Sequence, residues 1–387
     1  MNDNISAIVL AAGLGTRMKS ELPKVLHRIC GKSLVAHVLQ NLKDAGVSDV
    51  AVITGYGSEL VRQELGEGYS YYLQTQLLGT AHAVMQAAPF LSSRGGRVLV
   101  LCGDAPLQDG KTLSDFADYC EKEKLDLGVL TAALTDPASY GRILRKNGAL
   151  ERIVEKKDCT PEQMKIPEIN SGTYCFDADK LLSILDQFKT ENAQKEYYLT
   201  DAVALFRERG WRIGAYLCEN QNIVKAVNDR FELAQCEEVM RHAINRAHME
   251  NGVHIIDPRA AYLDRDVVIG AGTELYPGCV ITGNTVIGKN NRIYSSRIHN
   301  CVIGNDNLID ASTLEDSTVG DQVKIGPYAH LRPGTVLESR VRVGNFVEVK
   351  NSLMKEGAKA SHLTYVGDGE VGRDVNLGCG IVFVNYD

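Results

Sequence analysis

With 387 residues, the chain is long enough for two or three domains with sizeable cores. Its 44% hydrophobic and 24% charged residues are typical of a soluble globular protein. The net charge of −7 argues against a nucleic-acid partner, and no apolar stretch is long enough to span a membrane.

The ten cysteines occur singly and form no CxxC motif, as in proteins of a reducing compartment. The N-terminus "MNDNISAIVLAAG" has no cationic region, and its apolar run is too short for a signal peptide. We therefore predict a cytoplasmic protein.

Residues 1–228 alternate apolar runs with amphipathic helical patterns. "ISAIVL", "DVAVITG" and "RVLVLCGD" predict buried strands, and "SLVAHVLQNLKDAG" predicts a helix that begins near Ser33 and ends before Gly46. Such alternation predicts an α/β domain with a parallel, doubly wound sheet, whose ligands bind at the carboxyl ends of the strands. Asn147-Gly148, between two strand-like runs, predicts a β-hairpin.

Residues 229–250 predict a connecting helix, and residues 251–387 have a different rhythm. Aliphatic residues recur six apart from Ile269 to Ile293 and again from Ile325 to Val349, often followed by glycine. A hexapeptide period predicts a parallel β-helix in which each inward residue stacks on its equivalent eighteen residues later. Between the two runs the interval shortens to five in places, as from Ile298 to Ile303.

The loop "VLAAGLGTRMKSELPKVL" combines glycines with two cations. Gly13 and Gly15 permit a sharp turn and a close approach to an anion, although such a pair alone is more typical of a structural turn. Arg17 and Lys24 bracket the loop and favour a polyphosphate ligand. The P-loop motif GxxxxGK[ST] is absent, and the dinucleotide fingerprint GxGxxG does not fit, because Met18 stands where its third glycine would be.

Asp104 ends the strand "RVLVLCGD", which places its carboxylate at the carboxyl edge of the sheet. A carboxylate at that edge suits Mg²⁺, which binds few protein oxygens together with substrate phosphates. Capping of the following turn is the alternative role for Asp104.

Several motifs in order carry a resemblance over essentially the whole chain. After the loop come "QLLGTAHAV", "CGDAPL", "YGRILR", "IVEKKD", "EINSGTY", "KEYYLTD" and "VNDRFEL", and the repeat half contains "HLRPGTVL", "VGNFVEVKNS" and "SHLTYVGD". Together they resemble the bacterial bifunctional enzymes that join an N-acetylglucosamine-1-phosphate uridyltransferase to a glucosamine-1-phosphate acetyltransferase. The resemblance implies a Rossmann-like nucleotidyltransferase domain followed by a left-handed parallel β-helix.

The resemblance also implies roles for individual residues of the first half. Arg17 and Lys24 would be catalytic and contact the triphosphate of UTP, and Asp104 and Asn228 would hold Mg²⁺. The residues that would bind the nucleotide are Leu10, Ala11, Ala12, Gly13, Lys24, Gln74, Gly79 and Thr80. Of these, Gln74, Gly79 and Thr80 would read the uracil. Those that would bind N-acetylglucosamine-1-phosphate are Gly141, Glu155, Asn170 and Thr200. Cys102 stands where some relatives carry a tyrosine, and we expect only a local packing change there.

In the second half, the resemblance implies a homotrimer with an acetyl-CoA-dependent site between subunits. His362 would be its general base, a role that suits an imidazole near neutral pH. The other residues of this site would be Arg332, Lys350, Tyr365, Asn376, Asn385 and Tyr386. Relatives continue beyond the position of Asp387, and Cys379 replaces a usual alanine, so we expect a C-terminally truncated chain with weak or absent acetyl transfer.

The resemblance therefore predicts Mg²⁺-dependent synthesis of UDP-N-acetylglucosamine for cell-wall precursors. Two other classes stay open at this point. One is a related pyrophosphorylase that makes an ADP-, GDP- or dTDP-sugar, and the other is a scaffold with an inactive nucleotidyltransferase domain. For the β-helix alone, a purely structural and trimerising role is the alternative.

Overall fold

The computed structural model describes residues 5–137 and 139–385. The chain divides into two compact units, the first containing residues up to 236 except 30–32, and the second containing residues 30–32 and those from 237 onward. The division falls within α8, Arg230–Glu250, which covers the predicted connecting helix. Each unit is described by itself below.

The first unit is built around one mixed sheet. The strands from residue 5 to residue 218 are, in chain order, β1 Ile5–Ala11, β2 Arg28–Ile29, β3 Lys32–Ser33, β4 Val50–Thr54, β5 Ser70–Leu73, β6 Arg97–Cys102, β7 Leu127–Ala133, β8 Arg142–Lys146, β9 Ala149–Val154, β10 Glu168–Asp177 and β11 Ile213–Cys218. The strand order of the main sheet is β11-β7-β10-β6-β1-β4-β5, and β2 pairs only with β3.

Helices cover both faces of this sheet. They are α1 Leu34–Asp44, α2 Ser58–Leu65, α3 Thr80–Gln86, α4 Ala88–Arg94, α5 Gly110–Lys122, α6 Ala178–Leu182 and α7 Ala202–Glu208. Side chains alternate along β1: Ile8 joins a core with Phe90 and Phe206, whereas Val9 joins a second core with Leu42. This alternation reflects the two-residue period of a strand that is buried on both faces.

Local signals account for several element boundaries. Ser33 caps the start of α1 by accepting a hydrogen bond from the backbone N–H of Ala36 at 3.4 Å, as the sequence predicts for an N-cap. Asn147 and Gly148 join β8 to β9 and both have positive φ, which is the geometry of a tight hairpin turn.

The direction of one strand departs from the prediction of a parallel sheet. β10 runs antiparallel to both β6 and β7, and the β8–β9 hairpin adds to it, whereas β1, β4, β5 and β6 are mutually parallel. Hydrophobic patterning identifies a buried strand but carries no information about its direction, so the sequence could not reveal this reversal.

The second unit is a parallel β-helix of short strands. They are β12 His254–Ile255, β13 Tyr262–Leu263, β14 Val268–Ile269, β15 Glu274–Leu275, β16 Val280–Thr282, β17 Val286–Ile287, β18 Arg292–Tyr294, β19 Arg297–His299, β20 Val302–Ile303, β21 Leu308–Asp310, β22 Thr313–Glu315, β23 Thr318–Val319, β24 Lys324–Ile325, β25 His330–Leu331, β26 Val336–Leu337, β27 Arg342–Lys350, β28 Leu353–Met354, β29 Lys359–Gly367, β30 Glu370–Val371 and β31 Asn376–Leu377.

The predicted repeat of eighteen residues per coil holds for only part of this β-helix. Leu275 stacks on Ile293 eighteen residues later, but Ile287 stacks on Ile303 and Ile298 on Leu314, which are sixteen residues apart. The five-residue intervals shorten these coils. A single residue with positive φ turns the chain at their corners, for example Asn300, Ala311 and Asp316.

The inward column of aliphatic side chains forms the core of this unit. Ile309 is fully buried and lies beside Leu308, which is 37% exposed on the outer face of the same strand. We expect Ile309→Ala to lower the free energy of unfolding by about 2–5 kcal/mol, because it leaves a cavity in a stack that neighbouring coils cannot close. Urea denaturation followed by circular dichroism measures this change. Leu308→Ala is the matched control, expected to stay within about 0.5 kcal/mol, and equal losses for both variants would contradict the inward assignment of Ile309.

Candidate active site

The glycine-rich loop leaves the sheet between two parallel strands. β1 pairs with β6, and the backbone N–H of Gly103 donates to Leu10 O at 2.9 Å, so the ends of both strands meet at one edge. Gly15 has φ +62°, and a Cβ there would lie 2.6 Å from Lys24 Cβ. A glycine at position 15 therefore lets the loop fold closely over Lys24.

Lys24 joins the loop to the end of β6 and to the segment before α8. Its Nζ forms an ion pair with the Asp104 carboxylate and donates a hydrogen bond to Asn228 Oδ1 at 3.3 Å. Burial acts to lower the pKa of Lys24, but the Asp104 carboxylate beside it raises that pKa above its usual value. Lys24 is therefore an ammonium that is paired inside the site.

The oxygens around Lys24 fit a magnesium ion. The Asp104 carboxylate and the Asn228 amide oxygen both contact one cationic group, so they converge on a single position. In the described part of the chain, no cluster of three or more His, Cys, Asp or Glu residues could hold a metal. Two oxygen donors without a full protein cage suit Mg²⁺, which keeps waters and substrate phosphates as its other ligands.

A cavity of about 370 Å³ opens beside Lys24 and Asp104. Six other residues predicted or discussed from the sequence line it, namely Leu10, Ala12, Gly13, Gln74, Gly79 and Thr80. Ala11 does not line the cavity, because its side chain is buried in the core. Arg17 is exposed, and its guanidinium is close enough to act to lower the pKa of Lys24.

Cys102 also lines this cavity, at the end of β6. Burial raises the pKa of its thiol to about 12, so the side chain is neutral. Its Sγ lies 3.9 Å from Gly172 O, and a Cβ at Gly172 would approach Sγ to 3.2 Å. The cysteine thus packs against a close backbone approach from β10.

Glu155 and Thr200 line a second cavity, of about 280 Å³, in the same unit. Burial raises the pKa of Glu155, and a hydrogen bond from Thr200 opposes this rise. Burial together with the charge of Asp158 raises the pKa of Asp201 in the same cavity to about 6. A Cβ at Gly141 would lie 3.3 Å from Glu155 Oε2, so Gly141 belongs to this group.

Asn170 lies next to these residues but is held within the protein. Its backbone N–H donates to Gly141 O at 2.9 Å, and its Nδ2 donates to Tyr174 Oη at 2.7 Å. The backbone N–H of Gly172 donates to its Oδ1 at 3.0 Å. The structure therefore brings Gly141, Glu155, Asn170 and Thr200 together, as the resemblance implies.

A polar cluster in the second unit contains part of the predicted acetyltransferase set. Asn385 Nδ2 donates to Tyr365 Oη at 2.9 Å, and Lys350 Nζ pairs with Asp368 Oδ2 at 3.2 Å. Asn385 also contacts the Asp368 carboxylate, which connects the two pairs.

Other residues of that set lie on neighbouring strands of the β-helix. Arg332 Nη1 pairs with Glu348 Oε1 at 2.9 Å, and Glu348 is the strand neighbour of Tyr365. His362 is exposed on β29, and Asn376 begins β31 beside Lys359 rather than beside Tyr365. Tyr386 lies outside the described residues.

Several residues around the first cavity were not identified from the sequence. Leu77 and Glu196 line the cavity, and Tyr197 holds its rim, because Ala81 N donates to Tyr197 O at 2.9 Å. His82, on α3, contacts Gln74, which directly follows β5. Glu196 lies in the motif "KEYYLTD" and His82 in the motif "GTAHAV". Membership of these motifs is the sequence signal that could have identified both residues.

Comparison with known proteins identifies the class of this fold and site. The Nucleotidyl transferase family matches residues 6–221, and the GMPPB C-terminal domain matches residues 263–356. A crystal structure from Bacillus anthracis, described as a glucose-1-phosphate thymidylyltransferase in complex with sucrose, superposes with a TM-score of 0.53. It is 22% identical and covers 61% of this chain and 94% of that one, which supports the fold alone. The first unit is therefore a nucleotidyltransferase domain.

Full-length relatives make the assignment narrower. The bifunctional protein GlmU of Geobacillus sp. (strain WCH70) is 48% identical over 98% of this chain and 83% of its own length. The protein of the same name from Clostridium beijerinckii is 46% identical over 98% of this chain and 84% of its own. The chain belongs to the family of bifunctional GlmU proteins, and the predicted Rossmann-like domain followed by a left-handed β-helix is confirmed. Among the helices of the described residues, none is both long enough and apolar enough to cross a membrane.

The position of Lys24 generates a prediction for nucleotidyl transfer. We expect Lys24→Ala to lower the turnover number by about 10²–10³, because it removes a buried cation beside the cavity. Release of pyrophosphate from the nucleoside triphosphate measures this loss. Lys43→Ala, at an exposed position in the last turn of α1, is the matched control and should keep full turnover. Near-normal turnover in the Lys24 variant would contradict a role in the reaction.

Proposed function

We propose that the chain transfers UMP from UTP to N-acetylglucosamine-1-phosphate, giving UDP-N-acetylglucosamine and pyrophosphate. The observation that carries the proposal is the convergence of Lys24, Asp104 and Asn228 beside a cavity of about 370 Å³. Membership of the bifunctional GlmU family supports the choice of substrates.

The chemistry requires positioning and charge neutralisation rather than a protein nucleophile. A phosphate oxygen of the sugar phosphate attacks the α-phosphorus of UTP, a new P–O bond forms, and the bond to the bridging oxygen of pyrophosphate breaks. The attacking phosphate is already ionised, so no general base is needed. Lys24 supplies a fixed positive charge next to the phosphates, and Arg17 supplies a second one from the exposed loop.

Asp104 and Asn228 would hold the magnesium ion in this reaction. When bound, Mg²⁺ neutralises negative charge on the phosphate oxygens of the substrates. Because Lys24 pairs with both side chains, its ammonium would share these oxygens with the metal and would lie beside the phosphates.

The second cavity supports binding of the sugar. Glu155, Thr200 and the backbone around Gly141 present hydrogen-bonding groups there, and Asn170 is fixed beside them. The raised pKa of Glu155 comes from burial, which also excludes water from the hydroxyl groups it would bind. We assign this cavity to N-acetylglucosamine-1-phosphate.

The test of this function is pyrophosphate release from UTP and N-acetylglucosamine-1-phosphate, with and without Mg²⁺. We expect turnover in the presence of Mg²⁺ and its loss on addition of EDTA, with recovery when Mg²⁺ is restored, because an ion held by the two oxygens of Asp104 and Asn228 is readily removed. ATP, GTP and dTTP, each paired with N-acetylglucosamine-1-phosphate and with glucose-1-phosphate, serve as controls for the related pyrophosphorylases. Faster turnover with one of those combinations would overturn the substrate assignment, and no turnover with any would favour a scaffold.

For the second unit we propose weak transfer of an acetyl group from acetyl-CoA to glucosamine-1-phosphate, in line with the expectation from the sequence. The network of Tyr365, Asn385, Asp368 and Lys350 favours this reading over a purely structural β-helix, because it gathers polar side chains at one end of the aliphatic stack. His362, exposed on the same strand as Tyr365, would accept a proton from the attacking amine.

We expect His362→Ala to lower CoA release from acetyl-CoA and glucosamine-1-phosphate by about 10²–10⁴, the usual worth of a general base. The assay follows the free thiol of CoA. His254→Ala, an exposed histidine at the start of the β-helix, is the control and should leave the rate unchanged. CoA release that is the same for wild type and the His362 variant would contradict the role of this histidine.

We also propose that the β-helix assembles as a homotrimer. Tyr328 and Phe346 stack on its outside with centroids 5.5 Å apart, and both are more than half exposed. Exposed aromatic pairs of this kind favour burial against another subunit. Sedimentation equilibrium measures the mass, and a monomer would contradict the proposal.

A further inference from the structure

The environment of Gln74 determines which atom of its amide faces the cavity beside Lys24 and Asp104, called the nucleotide cavity below. Nε2 lies 3.2 Å from Gly79 O, which can only accept a hydrogen bond, so the atom at this position must be the amide nitrogen. The same nitrogen lies 2.9 Å from His82 Nδ1. Its two hydrogens are thus both used, one toward the carbonyl and one toward the imidazole.

This arrangement also determines the tautomer of His82. Because Nδ1 accepts from Gln74, the ring is neutral and carries its hydrogen on Nε2. Gln86 Nε2 lies 3.4 Å from His82 Nε2, but it donates to His82 O at 2.9 Å. In this tautomer Gln86 Nε2 and His82 Nε2 both carry hydrogens, so their 3.4 Å contact is not a hydrogen bond. The shorter contact, between Gln74 Nε2 and His82 Nδ1, determines the tautomer.

The imidazole is held in place from a second side. Its ring stacks on Tyr197 with centroids 6.1 Å apart and an interplanar angle of 27°. Tyr197 is in turn fixed to the loop before α3, since its N donates to Leu78 O at 2.8 Å and its O accepts from Ala81 N at 2.9 Å. His82 thus has a defined orientation before any ligand binds.

With the nitrogen of Gln74 occupied, its Oε1 is the atom left for a ligand. Among the described residues no group donates to this oxygen, and it is not one of the atoms sealed from the surface. Gln74 is only 4% exposed and lines the nucleotide cavity, so its accessible oxygen opens into that cavity. Gln74 Oε1 is therefore available to accept a hydrogen bond from a nucleobase in this cavity.

We propose that His82 is a positioning residue that sets nucleotide specificity through Gln74. The inference rests on the proposed function, in which Gln74 reads the base of UTP. An acceptor suits the imide N3–H of uracil, whereas cytosine has an unprotonated N3 acceptor at the same place on its ring. His82 holds the amide so that it attracts uracil and repels cytosine, and a repulsive contact of this kind is a common source of specificity.

Equilibrium binding of UTP and CTP to the full chain tests this role, with Mg²⁺ present. We expect wild type to bind UTP more tightly than CTP. In His82→Phe, which keeps an aromatic ring against Tyr197 but lacks an acceptor, the ratio of the two dissociation constants should shrink about tenfold, the worth of one lost hydrogen bond. His82→Ala should behave in the same way, and it substitutes for the phenylalanine variant if that protein does not fold.

Two further variants separate positioning from a general structural effect. His82→Asn should restore the wild-type ratio to within about twofold, because the amide oxygen of asparagine can accept the hydrogen bond in place of Nδ1. His299→Phe is the matched control: His299 Nδ1 also has a side-chain partner, Thr282 Oγ1 at 2.9 Å, but it lies in the second unit. A loosened fold would weaken the binding of UTP and of CTP equally. Loss of positioning would instead reduce the ratio of their dissociation constants.

The outcomes distinguish this inference from the proposed function. An unchanged ratio in the phenylalanine and alanine variants, a failure of asparagine to restore it, or a wild type that does not prefer UTP would overturn the role of His82. If wild type prefers UTP and the ratio responds as expected, but no pyrophosphate is released with N-acetylglucosamine-1-phosphate, the role of His82 stands and the proposed function fails.

Discussion

The paired charge of Lys24 is the constraint on which the first site depends. A buried ammonium is tolerated only with partners, and here Asp104 at the end of β6 and Asn228 just before α8 provide them. Three segments that are distant in sequence are thereby fixed around one point. The same pairing places two oxygen donors where a divalent cation can bind, so the ion pair that satisfies the buried lysine also prepares the site for metal and phosphate.

The sheet accounts for the position of this site. β1 and β6 are adjacent and parallel, so the segments that follow them leave the same edge, and the loop with Gly15 can fold back over Lys24. β10 enters beside β6 in the opposite direction and carries Asn170 and Gly172 toward the same region. The antiparallel strand therefore provides both Gly172, which contacts Cys102 of the first cavity, and Asn170, which is bonded to Gly141 beside Glu155 of the second.

The sequence predicts those features that depend on local chemistry. Ser33 as an N-cap, the Asn147-Gly148 hairpin and the aliphatic column of the β-helix each follow from conformational preferences or from burial of one residue in a short period. The site residues were reached mainly through resemblance, because spacing alone left Asp104 and the glycine pair open to structural roles. The direction of β10 and the sixteen-residue coils could not be predicted, since both depend on contacts between distant segments or on how tightly a corner turns.

His82 illustrates why part of a site escapes sequence reasoning. In "GTAHAV" it resembles an ordinary polar residue of a short helix, and nothing in that pattern indicates which ring nitrogen faces a partner. The role of His82 follows from the structure, where Gly79 O identifies the amide nitrogen of Gln74. That nitrogen donates to His82 Nδ1, which leaves Gln74 Oε1 as the acceptor for a ligand. Charge neutralisation at Lys24 acts on any nucleoside triphosphate alike, so recognition of the base must come from neutral hydrogen bonds such as this one. The first site thus separates its two tasks: the charged groups at the strand ends serve the phosphates, and the neutral network at the start of α3 selects the nucleotide.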